Sequence, residues 1–382
     1  MEGDFIRINR WLLPLSWLYG IGVGFRNFLF EVGLLKSHDY KTPVISVGNI
    51  TVGGTGKTPH VEYLVRLLQD KMRVAVLSRG YKRKSRGFVM ATSETPMKQI
   101  GDEPYQMKQK FPRVTVAVDR KRTRGIKILE ESDDAADVIL LDHAFQHRYV
   151  KPGINILLVD YHRLIIYDKL LPAGRLREPL KGKDRADIVI VTKCPKNLKP
   201  MEFRVITKAM SLYPYQHLYF STLEYEPLRA VFHAATKSQL EEENVLLLTG
   251  IASPRQMTED LTPLAKSITP LTFADHHNFS RKDVAKLNEA FAMMPSPKCI
   301  ITTEKDAARL TMVEGLSEEV RRNLFMLPVR ISFMLDQEEA FNDNIIGYIK
   351  KNSKNSILTK RMDDHKTNNK TETSKPRTIS FR

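Results

Sequence analysis

Apolar and polar positions divide the chain into short apolar runs separated by longer stretches with helical spacing. The runs Val44–Val47, Val74–Leu77, Val114–Val118, Val138–Leu141, Ile154–Val159 and Ile188–Val191 are rich in valine, isoleucine and leucine and too short for buried helices. Their apolar character is continuous rather than alternating, which marks strands covered on both faces. The expected fold is therefore α/β, a mostly parallel sheet with crossover helices on either side. One such helix starts near Pro59, with Val61, Leu64, Val65 and Leu68 on one face and the proline suited to its first turn. The pattern weakens around Leu223–Val231, and Lys237–Glu243 reads as a solvated linker. A second, smaller α/β unit follows, with strands at Val245–Thr249 and Cys299–Thr303.

Both ends depart from this pattern. Trp11 to Phe25 carries no charge, holds both tryptophans, and is bracketed by Arg7, Arg10 and Arg26. It is shorter than the roughly 20 residues that span a bilayer as a helix. Basic flanks and interfacial tryptophans fit a helix lying on or dipping into an anionic membrane. A secretory signal is disfavoured, since no alanine precedes Ala75 to form a cleavage site. From Lys350 onward the chain is polar, basic and poor in apolar residues, and is expected to be a disordered tail. The expected divisions are a membrane-associating segment, 1–35; a core, 36–225; a smaller unit, 226–350, joined by a hinge; and a tail, 351–382.

Chemistry enters after the first strand. Residues 48–59 read Gly-Asn-Ile-Thr-Val-Gly-Gly-Thr-Gly-Lys-Thr-Pro. Glycines 53, 54 and 56 allow a tight turn that points successive N–H groups inward, a cradle for polyphosphate closed by the next helix N-terminus. Lys57 is placed to reach the β- and γ-phosphates, and the Thr58 hydroxyl to ligate magnesium. The usual pattern has a glycine where this chain has Thr51, so the motif is a variant.

In a parallel sheet, ligands bind beyond the carboxyl ends of the strands. The residues to inspect are therefore Ser78-Arg-Gly-Tyr81, Asp119-Arg120, Asp142-His143, Asp160 and Thr192-Lys193. Asp142 ends an apolar strand, as a second magnesium-organising carboxylate would. Thr192-Lys193-Cys194-Pro195 resembles a guanine-reading motif, but Pro195 replaces the specifying aspartate, which favours adenine. Asp275-His276 is a candidate acid/base pair.

Charge and cysteine content refine the picture only a little. The net charge of +16 points to anionic partners without choosing among nucleotide, lipid and nucleic acid. Cys194 and Cys299 have no metal or disulfide spacing, and a reducing compartment is the simplest reading.

Several separated motifs then line up. Gly48–Pro59, Ser78–Tyr81, Gly101-Asp-Glu-Pro104, Asp142-His-Ala-Phe-Gln-His147, Arg175-Leu-Arg-Glu-Pro179, Gly250-Ile-Ala252, Asp275-His-His277 and Thr303-Glu-Lys-Asp306 occur in one order. In this the chain resembles the tetraacyldisaccharide 4'-kinases, the lipid A 4'-kinase family of Gram-negative bacteria. The resemblance implies transfer of the ATP γ-phosphoryl group to the 4'-hydroxyl of a tetraacylated glucosamine disaccharide 1-phosphate at the cytoplasmic face of the inner membrane. Cofactors would be ATP and Mg2+. Nucleic acid and an obligate protein partner are not expected.

The implied nucleotide cradle is Thr51, Val52, Gly53, Gly54, Thr55, Gly56, Lys57 and Thr58. Thr58 and Asp142 would lie near magnesium, with Glu103 in its neighbourhood. Asp102 would act as general base, supported by His276, while His147, Arg177 and Glu178 would hold the disaccharide or its phosphate. One departure stands out: the family often has two aspartates where this chain has Asp142-His143, which bears on metal affinity. The rival reading is a membrane-associated regulatory NTPase whose hydrolysis drives a protein partner.

Overall fold

The apolar runs of the first half of the chain assemble into one nine-stranded sheet in the computed structural model, which describes residues 8–251, 254–275 and 277–352. After α1 (Leu13–Glu31), the chain enters β1 (Val44–Gly48), α2 (Lys57–Leu68), β2 (Val74–Ser78) and β3 (Val89–Met90). Next come α3 (Met97–Ile100), α4 (Asp102–Lys110), β4 (Thr115–Val118), α5 (Arg122–Glu131), β5 (Val138–Asp142) and β6 (Ile154–Asp160). β7 (Ile188–Thr192), α6 (Pro200–Met210) and β8 (His217–Tyr225) complete this half. The sheet is closed at one edge by a late strand, β15 (Val329–Phe333). Its order is β15-β8-β7-β6-β1-β5-β2-β4-β3, parallel except at the two edge strands β15 and β3.

Continuous apolar runs are what a sheet covered on both faces requires. Ile45, Val47, Val76, Leu140 and Ile156 meet Val61, Leu64, Val65 and Leu68 of α2 on one face. Their neighbours in sequence point the other way: Leu77, Ile139 and Leu141 pack on Ile126 and Leu129 of α5, and Val189 and Val191 on Phe203 and Ile206 of α6. Period two therefore divides each strand between two apolar layers.

Between β8 and β15 the chain builds a second sheet from β9 (Leu228–Ala230), β10 (Thr236–Lys237), β11 (Asn244–Thr249), β12 (Ser267–Thr272), β13 (Lys298–Thr303) and β14 (Leu324–Leu327). Its helices are α7 (Arg255–Leu261), α8 (Arg281–Ala292), α9 (Glu304–Leu310) and α10 (Glu318–Asn323), and its strand order is β10-β9-β14-β13-β11-β12. The stretch read as a linker thus contributes part of a short edge strand.

The second sheet ends at Leu327. The 226–350 unit expected from the sequence therefore differs in extent from the second sheet, because β15 pairs antiparallel with β8 and the helical stretch 338–352 packs Phe341, Ile345 and Ile349 into the core of the large sheet. The outgoing and returning segments run side by side: Val329 pairs with Tyr225, and the Glu226 N–H donates to the Pro328 carbonyl at 3.0 Å. The two cysteines lie in different places, both free and buried, and burial pushes each thiol up to about 12. Of the expected tail, residues 353–382 lie outside the described residues, as does His276.

Candidate active site at the carboxyl ends of the large sheet

The site begins where β1 runs out. Gly48 passes so close to Phe145 that an added Cβ would fall 2.7 Å from the Phe145 backbone nitrogen, so the strand can leave the sheet there only as glycine. Gly53 (φ +116) and Gly56 (φ +76) are left-handed, and Gly56 turns directly into α2. The loop's carbonyls are tied down from behind. Lys193 donates its ammonium to the Gly54 carbonyl and to Asp160 Oδ2 (2.8 Å), and the Thr192 hydroxyl donates to the Thr55 carbonyl at 3.1 Å.

The third tie is His60. Its Nδ1 lies 2.7 Å from the Gly56 carbonyl and its Nε2 3.0 Å from Ser221 Oγ on β8. A carbonyl only accepts, so Nδ1 carries the proton and Nε2 accepts from the serine. Burial lowers this imidazole to about 4, which keeps it neutral in that tautomer. Lys193 thus serves the loop rather than a base, and its own left-handed backbone (φ +58) positions it to do so. The loop's leading edge is fixed by the segment 175–177: Val52 N–H donates to the Arg175 carbonyl and Arg177 N–H to the Ile50 carbonyl, each at 2.8 Å. This gives the Arg175–Pro179 motif a structural role that spacing alone does not reveal.

Lys57, first residue of α2, is buried, and burial lowers its ammonium to about 8 against the pull of Asp142 and Glu103. Asp142, at the end of β5, is also buried. Burial alone would raise its carboxyl, but His143, Lys57 and Arg122 hold it below the usual carboxylate range. Glu103, Asp142 and His143 each offer a ligand atom, all within 4.8 Å of one another, and form a possible cation site with Thr58 along the same cleft. Arg122 steadies the strand end by donating to the Asp142 carbonyl at 3.0 Å.

Asp102 and Glu103 open α4, whose N-cap Gly101 (φ +94) comes close to the Tyr81 carbonyl, so the Gly-Asp-Glu-Pro and Ser-Arg-Gly-Tyr motifs form one packed turn. The Asp102 carboxylate is salt-bridged to Arg309 of α9 and lies 3.9 Å from Lys305. Lys305 is also 3.4 Å from Glu103 and 3.7 Å from Asp275. Glu304 joins the same junction through Lys110, which bridges it (2.8 Å) to Glu62 of α2 (2.6 Å). Behind them the buried Asp306 binds Arg309 (2.9 Å), the Gly250 N–H (2.8 Å) and the Thr303 hydroxyl (2.8 Å). Gly250 and the Thr303-Glu-Lys-Asp motif therefore meet at one carboxylate, which anchors the arginine that holds Asp102; Ala252 lies outside the described residues. Sequence reasoning quoted these motifs without giving them that task.

The remaining candidates separate. His147 and Arg177 line the cleft, and burial, reinforced by Arg122, Arg26 and Arg79, lowers His147 to about 4. Glu178 also borders it, but its carboxylate is buried against Arg185 at 2.9 Å, so its structural partner is a neighbouring arginine. Asp275 lies at the cleft, while His277 instead pairs with Asp283 (3.0 Å) at the start of α8. The cleft has a volume of about 1270 Å3, and Tyr19, Val23 and Arg26 of α1 form part of its wall together with Gly53–Thr58.

A parallel sheet whose first strand ends in a glycine-rich, lysine-bearing loop, with a strand-terminal carboxylate beside that lysine, places the protein among the P-loop proteins that handle nucleoside polyphosphates. The family model described as Tetraacyldisaccharide-1-P 4'-kinase matches residues 8–350. Tetraacyldisaccharide 4'-kinase of Phocaeicola vulgatus is 56% identical, over 93% of this chain and 99% of its own length. That of Bacteroides fragilis is 50% identical, over 96% and 100%. A crystal structure of LpxK from Aquifex aeolicus in complex with ATP superposes with a TM-score of 0.68 at 33% identity, covering 88% of this chain and 98% of that one. The chain belongs to the tetraacyldisaccharide 4'-kinase family.

Proposed function

We propose that the chain transfers the γ-phosphoryl group of ATP to the 4'-hydroxyl of a tetraacylated glucosamine disaccharide 1-phosphate presented at the surface of an anionic membrane. One observation carries this reading: the phosphate loop and one face of α1 line the same cleft, while another face of α1 is apolar and exposed. Ser16 and Gly20 seat the helix on the 170–173 segment, where Ser16 Oγ donates to the Leu170 carbonyl at 2.9 Å. Trp11 (93% exposed), Leu15, Leu18, Ile21, Phe25 and Phe28 recur every three or four residues in a stripe facing away from the body. Such a stripe suits insertion into the headgroup region. Among the described residues no helix is long and apolar enough to cross a membrane, so peripheral attachment is the reading adopted.

Phosphoryl transfer asks mainly for positioning and charge neutralisation. The loop N–H groups and Lys57 meet the polyphosphate, whose charge favours the protonated ammonium against the effect of burial. The residues present fit a divalent cation: the buried Asp142 carboxylate and Glu103 bring two carboxylates together, with a ligand nitrogen of His143 within 4.8 Å. Asp142, Glu103 and Thr58 would hold magnesium, which when bound neutralises phosphate oxygens. Asp102 takes the proton of the sugar hydroxyl, once that hydroxyl displaces Arg309 from the carboxylate, with His276 in support. Arg26, Arg79, Arg120, Arg122, Arg175 and Arg177 border the cleft and suit an anionic sugar phosphate. Neutral His147 supplies a hydrogen bond to the disaccharide, and Glu178 fixes the segment carrying Arg177.

The test is purified protein with magnesium and γ-labelled ATP, with and without tetraacyl disaccharide 1-phosphate in mixed micelles. Label should move into the lipid. Label released only as free phosphate, whatever the lipid, would overturn the reading in favour of an NTPase.

A further inference from the structure

The residue after Asp142 is an imidazole that shares a possible ligand cluster with two carboxylates. His143 has a left-handed backbone (φ +53), and its Nδ1 lies 2.8 Å from Asp142 Oδ1 and 3.8 Å from Glu103 Oε2. Adjacent ligands of a small dication, each about 2.1 Å from the ion, stand about 3 Å apart. The observed separations bracket that value. Asp142 is 4% exposed and its Oδ1 faces the same imidazole, so a cation taken up here would exchange that contact for bonds to both atoms.

We propose that His143 makes this a mixed nitrogen–oxygen site, which selects a transition-metal dication such as Mn2+ or Co2+ over Mg2+. Magnesium is hard and takes oxygen ligands, whereas imidazole is a good ligand for first-row transition metals. A neutral imidazole among the ligands also contributes no negative charge, which holds a purely ionic partner less well than a metal that bonds nitrogen. The inference rests on the phosphotransferase reading of the cleft, and its test separates the two.

The full chain is prepared with natural-abundance or 15N-labelled histidine and given MnCl2 with the β,γ-methylene analogue of ATP. Electron spin-echo envelope modulation should show a directly bound nitrogen that changes with histidine labelling, a readout that needs no variant. The signal should vanish in His143→Asp, and Mg2+ competition should show that variant's preference for Mn2+ over Mg2+ reduced by at least about tenfold. Normal Mn2+ binding without a histidine nitrogen signal, or an unchanged preference in His143→Asp, would overturn the inference and leave the kinase reading intact. Failure of wild type and variant alike to bind a divalent ion with the nucleotide analogue would remove the phosphotransferase reading and the inference with it.

Discussion

The two walls of the cleft are held by different means. On the phosphate-loop side, three consecutive carbonyls, those of Gly54, Thr55 and Gly56, are taken up by Lys193, Thr192 and His60. Each bond fixes a backbone dipole, so the N–H groups are aimed before any ligand arrives. On the α9 side the bonds are ion pairs in a network that joins side chains of the two sheets: Lys110 with Glu62 and Glu304, Lys305 with three carboxylates, and Arg309 with Asp102 and Asp306. A buried carbonyl that loses its donor is left unsatisfied. A carboxylate that loses one cation can take another group in its place. The first wall is built for a geometry present in advance, the second for partners that exchange during turnover.

The sharpest way to break this comparison is Asp102→Asn. Expected is a fall in kcat of about 10²–10⁴-fold, with nucleotide affinity unchanged in equilibrium titration. An equal loss of affinity would assign Asp102 to the phosphate wall. Arg309→Met follows: it leaves Asp102 and the fully buried Asp306 without their shared cation, and should cost about 3–5 kcal/mol in urea unfolding. A loss well below that would mean the junction contributes little to the ground state.

His60 offers a test by pH. Between pH 6.5 and 4 the unfolded imidazole takes up a proton that the folded one refuses, so stability falls as pH drops through that window, by on the order of 3 kcal/mol. Glu62, raised to about 7 by burial despite Lys110, works in the opposite direction between pH 4.5 and 7. The difference between wild type and His60→Gln, followed by thermal unfolding across that range, isolates the histidine; parallel profiles would show that it does not titrate as the structure requires. The smallest effect is expected from Thr192→Val, which removes one donor from the Thr55 carbonyl. It should cost about 1 kcal/mol and raise the KM for ATP several-fold with kcat nearly unchanged, as initial rates would show.

Where chemistry is written in consecutive residues, the sequence was legible. β1, the glycine loop and Lys57 lie in one stretch, and Asp142 ends an apolar run, so their placement at the carboxyl ends of the strands followed from local pattern. The backing of the loop did not: His60 meets a serine 161 positions away, and the carbonyl of Thr55 meets Thr192 only because β7 lies beyond β6 and β1 in the sheet. Glu178 entered as a substrate contact only through the family resemblance, and its contact with Arg185 is visible only once the segment folds back. β15 went unread as a strand of the large sheet for a similar reason. It follows β14 after a single proline, and sequence adjacency is poor evidence when a strand's pairing partner lies about a hundred residues earlier.

That same return has an architectural consequence. Because β8 and β15 are hydrogen-bonded neighbours, the entire small sheet occupies the position of a hairpin loop, a guest spliced into the edge of a complete host. Excising 228–327 and closing the edge with a short turn would keep every strand of the nucleotide-binding half in register, and different guests could be grafted at one seam without rethreading the chain.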